Sequence, residues 1–321
     1  MQQIKYFHTY KTHVKQRWRN RHLVDVLESE FRTRSRKYYI GAIECGVITV
    51  NDQKTSPMYL LKDLDVIRHI VHIHEPIPPN IDIIEKESDY WVVNKPSGIP
   101  CHPTGGYFEY SVTRALFKDQ SVGCVNRLDM PVSGVLILTF SNSNFAHNLL
   151  GSAEKVYIAK VKGEFPSSIT VDKPVGLVSA RMFDVSDSGK PSRTTFRLLE
   201  YRNGYSLVEC RPVTGRTHQI RIHCKCIGFP ILNDLLYGQE SNTIKSEGMQ
   251  PEFPELCNSE YNCDEDIRNT NDEKYKYAIR SCKGTSNRSF EISNSHICLH
   301  AWKYTFNGVT YEAPWPAWAV L

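Results

Sequence analysis

Apolar and polar positions near the start of the chain follow first the period of a helix and then that of a strand. Apolar side chains recur at the spacing of an amphipathic helix at Leu23, Val24, Val26, Leu27 and Phe31. Residues 38–43 predict a second short helix, and the β-branched run at 47–50 predicts a strand that ends in the turn Asn51-Asp52. This first predicted unit covers residues 1–75, and the prolines within residues 76–80 predict a stiff linker after it.

From residue 81 onward the pattern is dominated by strands. Short apolar runs at 81–84 and 91–93 flank a charged turn, and a loop rich in Pro and Gly precedes a predicted helix at 112–117. The run from Val135 to Phe140 is almost unbroken in apolar residues, which is typical of a buried strand. Ser143 is a suitable N-cap for a helix that continues to Leu150.

The remaining patterns extend this second unit to residue 321. Alternation near residue 157 predicts a strand with Tyr157 and Ala159 on one face, and Asn203-Gly204 predicts the turn of a hairpin. Residues 217–227 suit a helix that ends at Gly228. Residues 239–296 are rich in polar side chains and predict a surface insertion. Strands mixed with helices in this order predict the α+β class.

Composition limits the possible classes of protein. The chain has 321 residues, of which 40% are hydrophobic and 23% charged, so it can bury one large core and a small accessory domain. It has no apolar run long enough to cross a bilayer. The net charge is only +4, but ten Lys or Arg residues and three acids lie within the first 37 residues. This basic start suits contacts with phosphates, and the alternative is a solvated basic face.

The cysteine and histidine residues do not form a local metal motif. Ten Cys are scattered along a chain that begins without an apolar signal sequence, so we expect reduced thiols inside the cell. The segment with His218, His223, Cys224 and Cys226 would direct its side chains to different helix faces, so we interpret it as packing. Cys257, Cys263, Cys282 and Cys298 lack paired CxxC spacing, and we therefore expect no metal site, with a zinc site of these four cysteines as the alternative.

The segment RLDMPVSG, residues 127–134, is the strongest candidate for chemistry. It puts the carboxylate of Asp129 beside the guanidinium of Arg127 in a loop that leads into the buried strand at 135–140. A charged loop held on a rigid strand can fix a reactive group. The alternative is that Asp129 only forms a turn.

This segment resembles the catalytic motif of the RluA-type pseudouridine synthases, RLDxxxSG followed by an aliphatic strand. The resemblance implies that Asp129 is the nucleophile and that Arg127 fills the space left by the target base. The chain departs from the family at Asn126, where His is usual, and at Val132, where Thr is usual.

Three further motifs support the resemblance. Residues 95–103 match KPxGxxxHP and contain Lys95 and His102, which we assign either to RNA contact or to support of the loop. Residues 155–163 match KxYxAxVxG, which implies that Tyr157 lies against the target base. The segment GRTHQIR contains Arg216 and Arg221, and GxPIxxDxLYG follows it. A partly buried Arg needs a carboxylate partner, and the resemblance implies that Arg221 pairs with Asp129.

The resemblance also implies a fold and a substrate. We expect a pseudouridine synthase fold at 81–321, with a mixed, mostly antiparallel curved sheet and flanking helices. Residues 1–75 are similar to an S4-like RNA-binding module, to which Arg17, Arg19 and Arg21 would contribute RNA contacts. Features near both ends of the chain are similar to the eukaryotic tRNA synthases that act on the anticodon loop.

We therefore expect a cofactor-free isomerase that converts uridine to pseudouridine in tRNA, at a position of the 32 type. We expect it to be a monomer and cytoplasmic, with a nuclear or mitochondrial location as the alternative. The alternative function is an RNA-binding or tRNA-folding protein with weak or no catalysis, because Asn126 and Val132 flank Asp129. A glycoside hydrolase would need a second placed carboxylate, and a deaminase would need a zinc signature that the chain lacks.

Overall fold

The computed structural model describes nine stretches of the chain, which fold into two compact units. The stretches are 3–31, 34–77, 79–104, 107–118, 120–140, 153–179, 182–238, 263–282 and 296–320. The first unit contains the described residues up to Pro76 together with 263–282, and the second contains the rest. The segment 263–282, which the sequence places inside a polar insertion of the second unit, therefore packs with the first.

The described helices and strands are numbered in chain order. The helices are α1 (Leu23–Glu30), α2 (Arg36–Glu44), α3 (Val112–Phe117), α4 (Gln219–Cys226), α5 (Asp264–Arg268) and α6 (Glu273–Cys282). The strands are β1 (Gln3–His13), β2 (Ile48–Val50), β3 (Val66–Pro76), β4 (Asp82–Lys86), β5 (Tyr90–Lys95), β6 (Gly123–Cys124), β7 (Ser133–Thr139), β8 (Glu154–Lys162), β9 (Ser168–Asp172), β10 (Val175–Ser179), β11 (Met182–Val185), β12 (Arg193–Arg202), β13 (Tyr205–Pro212), β14 (Leu299–Phe306) and β15 (Val309–Glu312).

The first unit is a three-stranded antiparallel sheet in the order β1-β3-β2, with helices packed on it. The apolar side of α1 that the sequence predicts is buried, since Leu23, Val24, Val26 and Leu27 lie in the core. Helix α2 begins after Ser35, whose hydroxyl accepts a hydrogen bond from the Tyr38 amide. Both predicted helices and the strand at 47–50 are thus present.

The two long strands of this unit, β1 and β3, are not among the predicted elements. Each has 11 residues, and they pair along their whole length from Gln3↔Pro76 to His13↔Val66. Their sequences mix His, Lys and Arg with β-branched residues, so the alternation of apolar and polar side chains that marks a strand is weak.

The second unit is built on a ten-stranded sheet in the order β4-β5-β7-β14-β8-β13-β12-β9, with β15 beside β14 and β6 beside β7. Among its described pairs, β14 with β7 is parallel and the others are antiparallel. The predicted α+β class and the mixed, mostly antiparallel sheet are confirmed. Strands β10 and β11 form a separate hairpin that the sequence does not predict.

The central strands β7 and β8 carry the core of this unit. Six of the seven residues of β7 are buried, as its apolar run predicts. The hairpin turn at Asn203-Gly204 has positive φ at both residues, which Asn and Gly tolerate best. The helix predicted from Ser143 to Leu150 lies outside the described residues. Within the described part of the chain, no helix is long and apolar enough to cross a membrane.

Candidate active site

Asp129 lies in the loop that joins β6 to β7, and the loop is tightly held. The amide of Val132 donates a hydrogen bond to the carbonyl of Asp129 at 3.0 Å, which closes a tight turn. The amide of Leu128 donates to the sulfur of Cys101 at 3.3 Å. The Asp129 side chain remains 30% exposed. The loop therefore presents one carboxylate to the outside from a fixed backbone.

Gly134, at the start of β7, brings the loop close to the centre of the sheet. It has φ of +110°, and a Cβ at this position would lie 2.2 Å from the carbonyl oxygen of Ala301 on β14. Only glycine fits such an approach. The Ser-Gly pair of the motif therefore has a structural reason, which is the parallel contact between β7 and β14.

Arg221 lies on α4 and reaches Asp129 from another part of the chain. Its Nη1 donates to Oδ2 of Asp129 at 2.8 Å, so the predicted ion pair is present. The start of α4 is fixed by Gln219, whose amide group donates to the carbonyl of Arg193 and to the hydroxyl of Thr194. Because Gln219 is buried and bonded in this way, the helix cannot easily rotate away from the Asp129 loop.

Asp234 is the second partner of Arg221. Its carboxylate accepts from Nε at 2.7 Å and from Nη2 at 2.8 Å, and its side chain is fully buried. It also accepts from the amides of Leu236 and Tyr237. In the sequence, Asp234 is the acidic residue of the motif GxPIxxDxLYG, without a predicted partner. A buried Arg within reach of two motif carboxylates is the signal that could have identified it.

The charges of Asp129 and Asp234 favour the protonated form of Arg221, which lies between them. Burial alone would lower the pKa of Arg221, but hydrogen bonds and charges from Asp234 and Asp129 outweigh burial and raise that pKa above its usual value. Tyr237 stacks below the guanidinium, with its ring centroid 5.0 Å from Cζ. Burial raises the pKa of Tyr237 to about 12, so this phenol stays neutral.

His218 is a further neighbour that the sequence analysis assigns to packing. Its Nε2 lies 3.6 Å from Oδ2 of Asp129, and its Nδ1 lies 2.9 Å from the Tyr237 hydroxyl. Burial lowers the pKa of His218 below its usual value, although Asp129 opposes this effect. At neutral pH the imidazole is therefore uncharged, and Arg221 supplies the positive charge beside Asp129.

Tyr157 lies on β8 with its ring in the core of the second unit. Its hydroxyl is 3.1 Å from that of Tyr304 on β14. Burial raises the pKa of Tyr157 well above its usual value, with smaller contributions from Tyr304 and from the charge of Asp129. Tyr157 is therefore a neutral, nearly buried phenol near Asp129, a ring that can act by contact rather than by proton transfer.

The chain is similar to several proteins named as pseudouridine synthases. Residues 89–225 match the family described as RNA pseudouridylate synthase. The mitochondrial tRNA pseudouridine(32) synthase of Saccharomyces cerevisiae is 38% identical over 75% of this chain, and the chain spans 55% of that protein. RNA pseudouridine synthase 7 of Oryza sativa subsp. japonica is 31% identical, with 98% of this chain and 89% of the relative covered.

A third relative, the tRNA pseudouridine(31) synthase of Saccharomyces cerevisiae, is 30% identical, with 98% of this chain and 94% of the relative covered. The chain belongs to the RNA pseudouridylate synthase family, and to its RluA type. The motif that carries Asp129 and most of the segment that carries Arg221 lie within the matched residues.

The two departures from the family pattern are both accommodated inside the fold. Asn126 is buried and bonds the backbone of β7 twice, from Nδ2 to the carbonyl of Val135 and from the Ile137 amide to Oδ1. Val132 is buried in the core of the second unit. Both side chains therefore support the Asp129 loop from the interior of the fold, and neither lies on the exposed side of the loop.

The position of Lys95 in the fold does not suit the predicted contact with RNA. It is fully buried, and its ammonium donates to the carbonyls of Pro96, Ile99 and Met130. These bonds tie the loop after β5 to the residue that follows Asp129. Support of the loop is therefore its structural role, and burial keeps it away from an RNA ligand. His102, on the same loop, is exposed.

The other predicted RNA contacts lie on the surface. Arg127 is exposed, and Arg216 is exposed with its Nε bonded to the carbonyl of Pro191. In the first unit, Arg17 pairs with Glu30. Two more arginines there have local partners, since Arg19 pairs with Asp63 and Arg21 donates to Ser29. The ion pairs of Arg17 and Arg19 are partly exposed and therefore weak, and Arg21 is half-buried.

Proposed function

We propose that this chain isomerises uridine to pseudouridine in tRNA, with Asp129 as the nucleophile. The observation that carries the proposal is the exposed carboxylate of Asp129 held at 2.8 Å by the buried Arg221, in a chain that belongs to the RNA pseudouridylate synthase family. The positive charge of Arg221 attracts the carboxylate of Asp129 and fixes its orientation. An oriented carboxylate oxygen is what attack near the ribose requires.

The reaction is balanced without a redox partner or a group carrier. The bond from uracil N1 to the ribose C1′ breaks, and a bond from C5 to C1′ forms. C5 loses a proton and N1 gains one, so the nucleotide keeps its composition. Asp129 acts at the sugar in this scheme, either by attack on it or by forming a glycal.

The target base has to leave its stack to reach Asp129. Arg127 is exposed two residues before Asp129, so it can enter the space that the base leaves. Tyr157 lies near Asp129 with its ring largely buried, and we propose that its accessible edge contacts the uracil. Arg216 and His102 are exposed and can contact the backbone of the RNA around the flipped nucleotide.

We assign the first unit to RNA binding, as an S4-like module or its equivalent. Support comes from the cations near its start, several of which are exposed, including Lys11, Lys15, Arg17 and Arg19. We assign the substrate to the anticodon loop at position 32, by analogy with the yeast relative named for that position. Position 31 is a second candidate, because another yeast relative is named for it and is covered over 94% of its length.

We also propose that the protein works in the cytoplasm as a monomer. A mitochondrial tRNA is a second candidate substrate, because the first yeast relative is named mitochondrial.

The test is a pseudouridine map at single-nucleotide resolution. Unmodified tRNA transcripts are incubated with the wild-type chain, with Asp129→Asn, or without protein. Matched transcripts carry cytidine at position 32 or at position 31. We expect one new pseudouridine at position 32 with the wild type and none with the variant. A new site at position 31 would favour the second candidate.

The same experiment separates catalysis from RNA folding. If the wild-type chain binds the transcripts and changes their melting but forms no pseudouridine, the chain is an RNA-binding or tRNA-folding protein. The support that Asn126 and Val132 give to the Asp129 loop favours catalysis.

A further inference from the structure

Four potential metal ligands meet inside the first unit. His72 and His74 lie two residues apart on β3, so their side chains share one face of the strand. Cys263 immediately precedes α5, and Cys282 is the last residue of α6. All four are buried, with exposed fractions of 5%, 6%, 0% and 2% in this order. Residues far apart in the chain are thus gathered at one interior point.

The donor atoms of this group all lie within 4.8 Å of one another, and five of the six distances between them are 3.7 Å or shorter. Nδ1 of His72 lies 3.2 Å from Nε2 of His74, and the sulfurs of Cys263 and Cys282 are 3.7 Å apart. The nitrogen-to-sulfur distances are 3.3 Å for His72–Cys282, 3.4 Å for His74–Cys282 and 3.5 Å for His74–Cys263.

These distances agree with the coordination sphere of zinc. Zinc–sulfur bonds of about 2.3 Å and zinc–nitrogen bonds of about 2.0 Å, at tetrahedral angles, give edges of about 3.3 Å (N to N), 3.5 Å (N to S) and 3.8 Å (S to S). The five edges above have the same order, with nitrogen–nitrogen shortest and sulfur–sulfur longest. Hydrogen bonds would follow the same order, because sulfur is larger than nitrogen. What points to a shared ion is the convergence of four buried donor atoms of two histidines and two cysteines on one point.

We propose that His72, His74, Cys263 and Cys282 bind one Zn²⁺ in a structural site. Two thiolates and two neutral imidazoles are a donor set that suits zinc. Two thiolate charges also balance the charge of the ion. Four protein ligands complete the tetrahedron, so no position remains for water or substrate.

The site explains how segment 263–282 is held in the first unit. Zinc would connect both ends of this segment to the two histidines of β3. Ile267 and Ile279 pack around the two cysteines, and the ring of Phe7 lies 5.0 Å from that of His72. These apolar neighbours keep water from the site, which strengthens metal binding.

The site also explains why the sequence analysis expects no metal. Neither Cys263 nor Cys282 has a second cysteine at the short CxxC spacing that marks a zinc motif. Cys263 lies 189 residues from His74. A histidine pair spaced HxH on one strand, combined with two cysteines of a distant polar segment, produces no local motif.

The test uses the full chain, purified from cells grown with zinc. Metal content is measured by mass spectrometry for the wild type, for Cys263→Ser, for Cys282→Ser and for the control Cys45→Ser. Cys45 lies in the first unit and outside the cluster. We expect one zinc per chain in the wild type and control, and at least a tenfold lower zinc content in the two ligand variants.

Two further measurements keep the proposal falsifiable if a ligand variant does not fold. Cobalt-substituted wild type should show the intense visible absorption of tetrahedral Co²⁺ with thiolate ligands. Removal of zinc by a chelator should lower the melting temperature of the wild type, and added zinc should restore it. A metal-free wild-type chain that melts at the same temperature with and without zinc would overturn the proposal. So would an intact-mass spectrum that shows a Cys263–Cys282 disulfide instead of bound metal.

Discussion

Asp234 holds Arg221 at two points, with Nε at 2.7 Å and Nη2 at 2.8 Å from its two carboxylate oxygens. A bidentate pair fixes both the position and the plane of a guanidinium. One remaining donor, Nη1, then points to Asp129. The orientation of the proposed nucleophile therefore depends on a buried carboxylate that does not touch it.

This relationship predicts that Asp234→Asn reduces activity without removing the nucleophile. The amide would place a donor against a donor of Arg221, so one bond of the pair is lost. Shifting a catalytic group by about 1 Å can cost about 10²-fold in rate. We expect a loss of that order in kcat with tRNA affinity unchanged, and a cost of about 3 kcal/mol in the free energy of unfolding. Single-turnover kinetics and urea unfolding measure the two effects, and an unchanged kcat would contradict the model.

Asp129→Asn should abolish isomerisation while it leaves RNA binding intact. The change removes the anion and keeps almost the same volume at a side chain that is 30% exposed. Loss of a nucleophile should lower the rate by at least about 10³-fold. Product formation and tRNA affinity are measured on the same transcript. Asp234→Asn is the comparison variant: it keeps the nucleophile and misplaces Arg221, so its loss should be smaller, about 10²-fold.

The sequence predicts the strands that have apolar runs, and it misses those that depend on long-range pairing. Strand β7 is predicted because its residues form an almost unbroken apolar run, and six of its seven residues are buried in the structure. Strands β1 and β3 are not predicted, because their polar and basic residues give no clear apolar pattern. In the structure they are stabilised by pairing with each other over 11 positions. For the same reason the sequence assigns segment 263–282 to the second unit.

The site shows the same limit. The pair of Arg221 and Asp129 follows from the family motifs, and Asp234 lies in a motif that could have identified it, whereas the contact of His218 with Asp129 appears only in the folded chain. The motif of Lys95 permits both RNA contact and support of the loop, because it gives no information on burial. Its three carbonyl partners lie on two different loops, and only the folded chain brings them together.

Gly134→Ala should be far more disruptive than Gly308→Ala. Both glycines have positive φ, but an added Cβ at Gly134 would lie 2.2 Å from backbone of Ala301, whereas nothing lies within 4 Å at Gly308. The control should cost about 1 kcal/mol from backbone strain. The Gly134 variant should cost about 3 kcal/mol or more beyond that, because β7 and β14 must separate. Denaturant unfolding of both variants measures the difference, and equal costs would show that the strands can move apart easily.

Arg17→Ala combined with Arg19→Ala should weaken tRNA binding and reduce its salt dependence. Each lost phosphate contact lowers the slope of log K against log salt by about 0.7 to 0.9, so we expect a change of about 1 to 2. The control is Lys274→Ala combined with Lys276→Ala, which removes the same charge from α6 in the same unit. If both double variants change the slope equally, the effect comes from net charge and not from a binding surface.

Lys95 should make stability depend on pH in a defined direction. Burial lowers its pKa from 10.5 to about 8, although Cys101 and Asp129 partly oppose this effect. Between about pH 8 and the unfolded value of 10.5, the unfolded chain holds a proton that the folded chain has lost. Stability therefore rises with pH in this window, because the unfolded state binds more protons.

Lys95→Met removes the titration, so the comparison of the two proteins isolates it. The free energy of unfolding of the wild type minus that of the variant should rise between pH 8 and pH 10.5, by at most about 3 kcal/mol. Urea unfolding at several pH values measures this difference, and subtraction cancels the titration of the other groups. A difference that falls with pH would mean that the carbonyls of Pro96, Ile99 and Met130 stabilise the ammonium more than burial destabilises it. In that case Lys95 would enter the folded loop with its charge intact, and its contribution to holding Met130 beside Asp129 would be electrostatic.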